Sequence, residues 1–289
     1  MNRFALLAAI LLSAGLPFTS VAASTRTTAS SHTYRPQPTP TKTPTPTPSP
    51  SPTPTPSPVL STLGNDISYP QCSTTLPTSQ AFGIVGVNNG LATTTNPCLA
   101  NELAWASKSN GSTAQPKIQL YVNTANPGGL NTASWPSSGT NPYGTCDHSN
   151  SLACAYQYGW NRAQDDATGR GVASPQTYTW YLDVETANTW DSTTGGTLRN
   201  TADLEGMTAY FQSIGASVGL YSTNYQWGVI VGTSVSSSSN MNGLSSWLPG
   251  ATSASSAQAK CSAAPLTTGG TVRLAQYTSN NLDYDVSCR

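Results

Sequence analysis

The sequence predicts a single α/β domain, a (β/α) TIM-like barrel with room for shortening or distortion, cross-linked by disulfides. Three observations carry that expectation. Apolar runs of strand length alternate with amphipathic stretches, which is how βα units around a mostly parallel sheet read in sequence. Residues 61–289 are of a length suited to one large α/β domain. An open doubly wound sheet would share this alternation, but no GxGxxG or phosphate loop follows the first strand, which weakens its nucleotide-binding version, and length and strand count favour the barrel.

Two segments precede the domain. Residues 1–23 have the form of a secretory signal peptide: Arg3 supplies a positive start, FALLAAILLSAGL an apolar core, and Val21-Ala22-Ala23 a small-residue cleavage site. The apolar run is short for a bilayer and stops at Pro17, which argues against an uncleaved anchor. Residues 24–60 form a Pro/Thr/Ser-rich spacer, PTPTKTPTPTPSPSPTPTPSP in its centre. Alternating prolines hold the backbone near polyproline geometry, so this segment reads as an extended stalk, of a composition that is often O-glycosylated. The mature chain is expected to be secreted, extracellular or cell-wall associated, with no integral membrane segment.

Within the domain, the predicted strands are NDISY (65–69), FGIVGV (82–87), KIQLYVN (117–123), TWYLDVE (179–185), SVGLYS (217–222), SSWLPG (245–250) and TVRLAQYT (271–278). Several are nearly continuous in apolar residues, as parallel strands covered on both faces should be. A helix is predicted over 96–109, with Asn96 as cap, Pro97 in the first turn, and Leu99, Leu103 and Ala106 on one face. A second is predicted over 151–167. A third is predicted over 200–216, with Asn200 as cap, Leu204, Met207, Phe211 and Ile214 as its stripe, and Gly215 as its stop.

Composition narrows the function. All twelve acidic residues lie in 61–289 against eight Lys and Arg, and the absence of a basic cluster argues against a nucleic-acid partner. The six cysteines in an exported chain read as three disulfides. Sequence proximity suggests Cys72–Cys98, Cys146–Cys154 and Cys261–Cys288, among the 15 pairings that six cysteines allow. Zinc spacings are absent, because His32 lies in the spacer and His148 is the sole histidine of the domain, in a Gly/Asn-rich stretch. No GxSxG elbow accompanies it, and no thiol is left over. Nothing points to a cofactor, a metal or an oligomer, so a monomer is expected. Carboxylates are what remains.

Asp183 and Glu185 stand two apart in TWYLDVET. On a strand, such side chains share a face, about 6–7 Å apart along the chain. At the C-terminal end of a barrel strand, that face opens on the mouth. Mutual repulsion and unequal solvation raise the pKa of the less solvated acid, which gives one proton donor and one group that stays ionised. Glycosidic bond cleavage needs that division. Asp66 ends the first strand, and Asp283 and Asp285 follow the last. The first and last strands of a closed barrel are neighbours, so these acids are expected to converge on the same mouth. The alternative for each is a structural role, capping a helix or binding backbone N–H groups.

The order GNDIS, LDVE, GLYST and AQYTSNNLDYDVS resembles the family 25 glycoside hydrolases, over nearly all of 61–289. The resemblance implies a shortened, distorted β/α barrel and muramidase activity, cleaving the β-1,4 bond between N-acetylmuramic acid and N-acetylglucosamine. It implies that Glu185 is the general acid, Asp183 its partner carboxylate, Asp66 the first-strand aspartate and Asp283 the aspartate of a closing Asp-x-Asn motif. Here that motif reads Asp283-Tyr284-Asp285. The segments GVNNGL and YVNTANPG also depart from the family's pattern, which marks a divergent branch. Tyr221 and Trp247 are candidates for stacking on sugar faces. Asn88, Asn123 and Gln276 are candidates for bonding sugar hydroxyls or N-acetyl groups; internal hydrogen bonding is the competing role. The expected partner is thus a polysaccharide, peptidoglycan first. A non-catalytic wall- or glycan-binding module, or a glycosidase for another polysaccharide, would use the same residues.

Overall fold

The computed structural model describes residues 61–129 and 132–288; the signal peptide and spacer expected over 1–60 lie outside the described residues. In chain order the elements are β1 (Leu63–Ile67), β2 (Gly83–Gly86), α1 (Leu99–Ala106) and β3 (Ile118–Asn123). A small hairpin of β4 (Thr140–Asn141) and β5 (Gly144–Thr145) precedes α2 (Leu152–Gly169). Then come β6 (Thr179–Asp183), α3 (Gly196–Ser213), β7 (Ser217–Tyr221), α4 (Asn224–Ile230), β8 (Ser245–Ala251), α5 (Ala254–Lys260), β9 (Thr271–Ser279) and β10 (Leu282–Ser287).

Eight of these strands close into a barrel in the order β1-β10-β9-β8-β7-β6-β3-β2. All seven strands predicted from the apolar runs are present in it. Every neighbouring pair from β1 round to β9 is parallel, but β10 runs antiparallel to both β9 and β1. A regular (β/α) repeat is therefore not what forms. Between β1 and β2 there is only a 3-10 turn, Tyr69–Gln71, and between β9 and β10 only Asn280 and Asn281. Both asparagines have positive φ, 53° and 60°, the geometry of a type I′ hairpin turn. So short a link reverses the chain and forces antiparallel pairing.

Strand alternation sorts the side chains into two layers. Along β6, Trp180 and Leu182 face the helices, and Trp180 stacks on Phe211 of α3 with ring centroids 4.5 Å apart. Tyr181, by contrast, joins Phe82, Ile84, Trp247 and Leu274 in a second cluster, with Tyr121 and Tyr221 against it. That cluster draws on strands and strand borders alone, as the filling of a barrel must. Two glycines make the space. A Cβ on Gly64 would lie 2.2 Å from the Phe82 ring, and one on Gly219 would lie 2.3 Å from the Tyr181 ring.

Helix ends differ from expectation in two places. The first helix starts at Leu99, and Asn96 accepts a hydrogen bond from the Cys98 N–H just ahead of it. The third starts at Gly196, so Asn200 is no cap. It is a buried residue inside α3, hydrogen-bonded to Asn126, to the Asp191 backbone and to the Ile230 carbonyl. Ser151 does cap α2, accepting from the Cys154 N–H. The disulfides are Cys72–Cys98, Cys146–Cys154 and Cys261–Cys288, the pairs that sequence proximity suggested. Among the described residues, no helix is long and apolar enough to cross a membrane.

Overpacking the barrel at Gly64 should be costly. Gly64→Ala is expected to lose about 1–3 kcal/mol in urea unfolding. Gly228→Ala, inside α4 where an added Cβ meets nothing within 4 Å, should by contrast be mildly stabilising, as Gly→Ala in an open helix position is.

Candidate active site

The strand ends that the sequence marked with acids and aromatics surround one cleft. Asp66, Tyr121, Asp183, Glu185, Tyr221, Trp247, Gln276 and Asp283 line it, with a volume of about 140 Å³. Asp66, Asp183 and Tyr221 come from the C-terminal ends of parallel strands. Asp283 comes from the start of β10, which antiparallel pairing brings to the same rim opposite Asp66. Two carboxylates facing each other across a strand pair are destabilising in an ordinary sheet.

Trp247 is the floor. It is 1% exposed and makes edge contacts with Tyr121, Tyr181 and Tyr221 at centroid distances of 6.2, 5.3 and 4.4 Å. Its Nε1–H donates to Asp285 Oδ1 at 2.8 Å. Asp285 thus lies beneath the cleft rather than in its wall, fully buried, paired across β1 with Gly64 and across β9 with Gln276. Gln276 accepts from the Tyr221 hydroxyl at 2.9 Å and donates to Asp66 Oδ2 at 2.9 Å.

Burial dominates the electrostatics. It pushes the Asp66 carboxyl up to about 7, helped by the charge of Asp283, while the Gln276 hydrogen bond works against it. Burial also raises Asp285, with the nearby Asp66 carboxyl adding to it and the Trp247 hydrogen bond working against it. Asp183, 5% exposed, is raised well above the usual carboxylate range by burial, then by Glu185 and Asp66. Asn123 Nδ2 donates to Asp183 Oδ2 at 3.2 Å, and Oδ1 has no hydrogen-bond partner among the described residues.

Glu185 lies just past the end of β6 and is half-buried. Gln226 Nε2 approaches its Oε1 at 3.5 Å, while Gln226 Oε1 accepts from the Thr186 N–H at 2.7 Å. The Trp190 indole donates to the Glu185 carbonyl at 2.9 Å, which fixes the backbone behind the carboxylate. On the opposite rim, Asp283 Oδ1 accepts from the Thr278 hydroxyl at 2.6 Å.

Seven of the ten residues singled out in the sequence therefore meet in the cleft. Asp285 sits below it, and Asn123 acts on Asp183 from the side. Asn88 is buried away from the lining: it donates to Asp166 and accepts from the Asn123 N–H, and so sets the end of β3. Tyr121 and Gln226 were not singled out. Strand alternation, placing Tyr121 on the face of Asn123, was the signal for the first. Nothing marks Gln226 in a polar helix start. His148 is exposed in its loop with a φ of 71°. Among the described residues, the one group of metal-ligating types close enough to share an ion is Cys72, Cys98 and Glu102, and its two thiols are spent in a disulfide. No family model, no curated protein and no solved structure matches the chain.

The buried carboxyls predict a direction of pH dependence. A folded-state value raised above the ordinary 3.8 means the folded chain holds the proton more tightly. That stability is complete below about 4 and is lost as pH rises towards about 7 for Asp66 and Asp166. Asp191 acts in the opposite sense: despite burial, its bonds from Arg199 and Thr193 hold it at about 2, so its contribution fades only in stronger acid. Thermal unfolding should therefore show a Tm that is highest in mild acid and falls towards neutral pH. Asp66→Asn should flatten that fall.

Proposed function

We propose that the chain is a secreted glycoside hydrolase of the muramidase kind, cleaving β-1,4 bonds of peptidoglycan, on a distorted TIM-like barrel allied to family 25. One observation carries this reading. Asp183, buried at the end of β6, and Glu185, half-buried at the rim just past it, face the same cleft. Two acids so unequally solvated can divide the labour of glycosidic cleavage. Export by the signal sequence and the three disulfides support an extracellular setting for it.

In this mechanism the bound glycan covers and desolvates Glu185 at the rim, so that it carries the proton in the complex and gives it to the glycosidic oxygen as the C–O bond breaks. Positive charge develops at the anomeric carbon and favours the ionised form of Asp183 beside it. Asp183 then either stabilises that charge or holds the N–H of an N-acetyl group, setting the acetyl carbonyl to attack; in either case water then adds to the anomeric carbon and returns a proton to the Glu185 carboxylate. Asp66 and Asp283 on the far rim bind sugar hydroxyls. Tyr221, already committed to Gln276, contributes its ring more than its hydroxyl.

The nearly full occupation of the barrel by Trp247 and its tyrosines favours a second reading, a wall-binding module with a shallow acidic mouth. Release of new reducing ends from purified peptidoglycan separates the two. The parent should release them, and Glu185→Gln should lose that activity by roughly 10²–10⁴-fold, the usual value of a general acid, with an unchanged unfolding curve. If neither protein releases sugar ends while both sediment with cell walls, the binding module replaces the hydrolase.

A further inference from the structure

A second cavity, of about 570 Å³, lies on the helical flank of the barrel. Tyr143 from the β4–β5 turn, Tyr156 of α2, Leu198 and Glu205 of α3, Asn240 and the serines of 234–239 line it. Tyr143 and Leu198 are exposed, while Glu205 at the bottom is 7% exposed. The Tyr143 hydroxyl donates to Glu205 Oε2. Asn240 Nδ2 donates to the Glu205 carbonyl at 2.9 Å, and its own Oδ1 is buried with no hydrogen-bond partner among the described residues.

Two features make this more than a dent in the surface. The first is an uncompensated charge. Buried carboxylates are normally paired with cations, yet the ion pairs among the described residues are Arg162–Asp165, Arg170–Asp166 and Arg199–Asp191, and none reaches Glu205. Burial, and then the neighbouring Glu205 carboxyl, raise the pKa of both Tyr143 and Tyr156. The second is the pair of aromatic rings beside that carboxylate. The two rings stand 6.1 Å apart at 59° and turn aromatic surface to the same space, which favours a cation further.

We propose that this cavity is a binding site for a primary ammonium group, with the Glu205 carboxylate accepting its N–H bonds and Tyr143 and Tyr156 walling it. A neutral sugar would fill the acceptors but leave the charge uncompensated. A quaternary ammonium would answer the charge but bring no N–H. A free amine and a lysine side chain of a peptide offer the same group. The site stands apart from the cleft and does not depend on what the cleft does.

Titration of the purified chain, followed by NMR of the tyrosine ring resonances, tests this. n-Butylammonium should bind at the cavity, more tightly than tetramethylammonium, and n-butanol should leave the rings unshifted. A blocked Gly-Lys-Gly peptide beside n-butylammonium tells whether the site takes amines only when free or also on a peptide. Glu205→Gln should weaken n-butylammonium by about tenfold or more, the worth of one charge-assisted contact. Should Glu205→Gln fail to fold, Tyr143→Ala on the exposed wall should also weaken binding. Equal binding of n-butanol, preference for a neutral saccharide, or undiminished affinity in the folded variants would overturn the proposal.

Discussion

Removing carboxyl groups from water is the constraint on which the rest of this barrel depends. Asp66, Asp183 and Asp285 are all buried, and each must be protonated, hydrogen-bonded or both to remain there. The aromatic filling is arranged around that need. Trp247 supplies an indole N–H to Asp285, and Gln276 links the Tyr221 hydroxyl to Asp66. Asn123 serves Asp183 on one side only. Asp183 therefore sits beside Glu185 with one of its carboxyl oxygens unpartnered among the described residues. A fold selected for stability alone would place apolar residues at these positions; retaining acids there fits a site with chemistry to perform.

The antiparallel closing strand is what assembles the group. A parallel eighth strand would start at the closed end of the barrel and carry Asp283 away from Asp66. The two-asparagine turn instead returns the chain at the open rim, so Asp283 opposes Asp66 and Asp285 falls one layer deeper, opposite Gly64. Gly64 thus admits the Phe82 ring while standing across from the deepest carboxyl. A small departure from a regular repeat decides which acids meet.

Much of this was legible in the chain. Seven strands could be read from continuous apolar runs, because burial on both faces leaves little polar residue to blur them. The Asp183–Glu185 pair could be read from strand periodicity alone. β10 was harder, since LDYDVS alternates acid with apolar residues and carries its charges inward, the reverse of a surface strand. The Asn280-Asn281 turn was its available sign. Asn200 shows the limit of local signals: a good capping residue was drawn into a helix interior by partners that lie far off in sequence, Asn126 and Ile230. Trp247 and Asn88 show the same limit at the site. Periodicity gives a face, but not whether that face is open to a ligand or occupied by the protein itself.

The bridge from Cys261 to Cys288 has a consequence for resistance to proteolysis. It ties the end of α5 to the residue after β10 and encloses 27 residues of separation, including the β9–β10 hairpin with its Asn280-Asn281 tip. A protease reaching that tip would cut the chain there, but both cut ends would remain covalently held to the barrel. The strand bearing Asp283 and Asp285 would stay tethered after such a nick, ready to close the barrel again. The cross-link thus serves as insurance against a single scission.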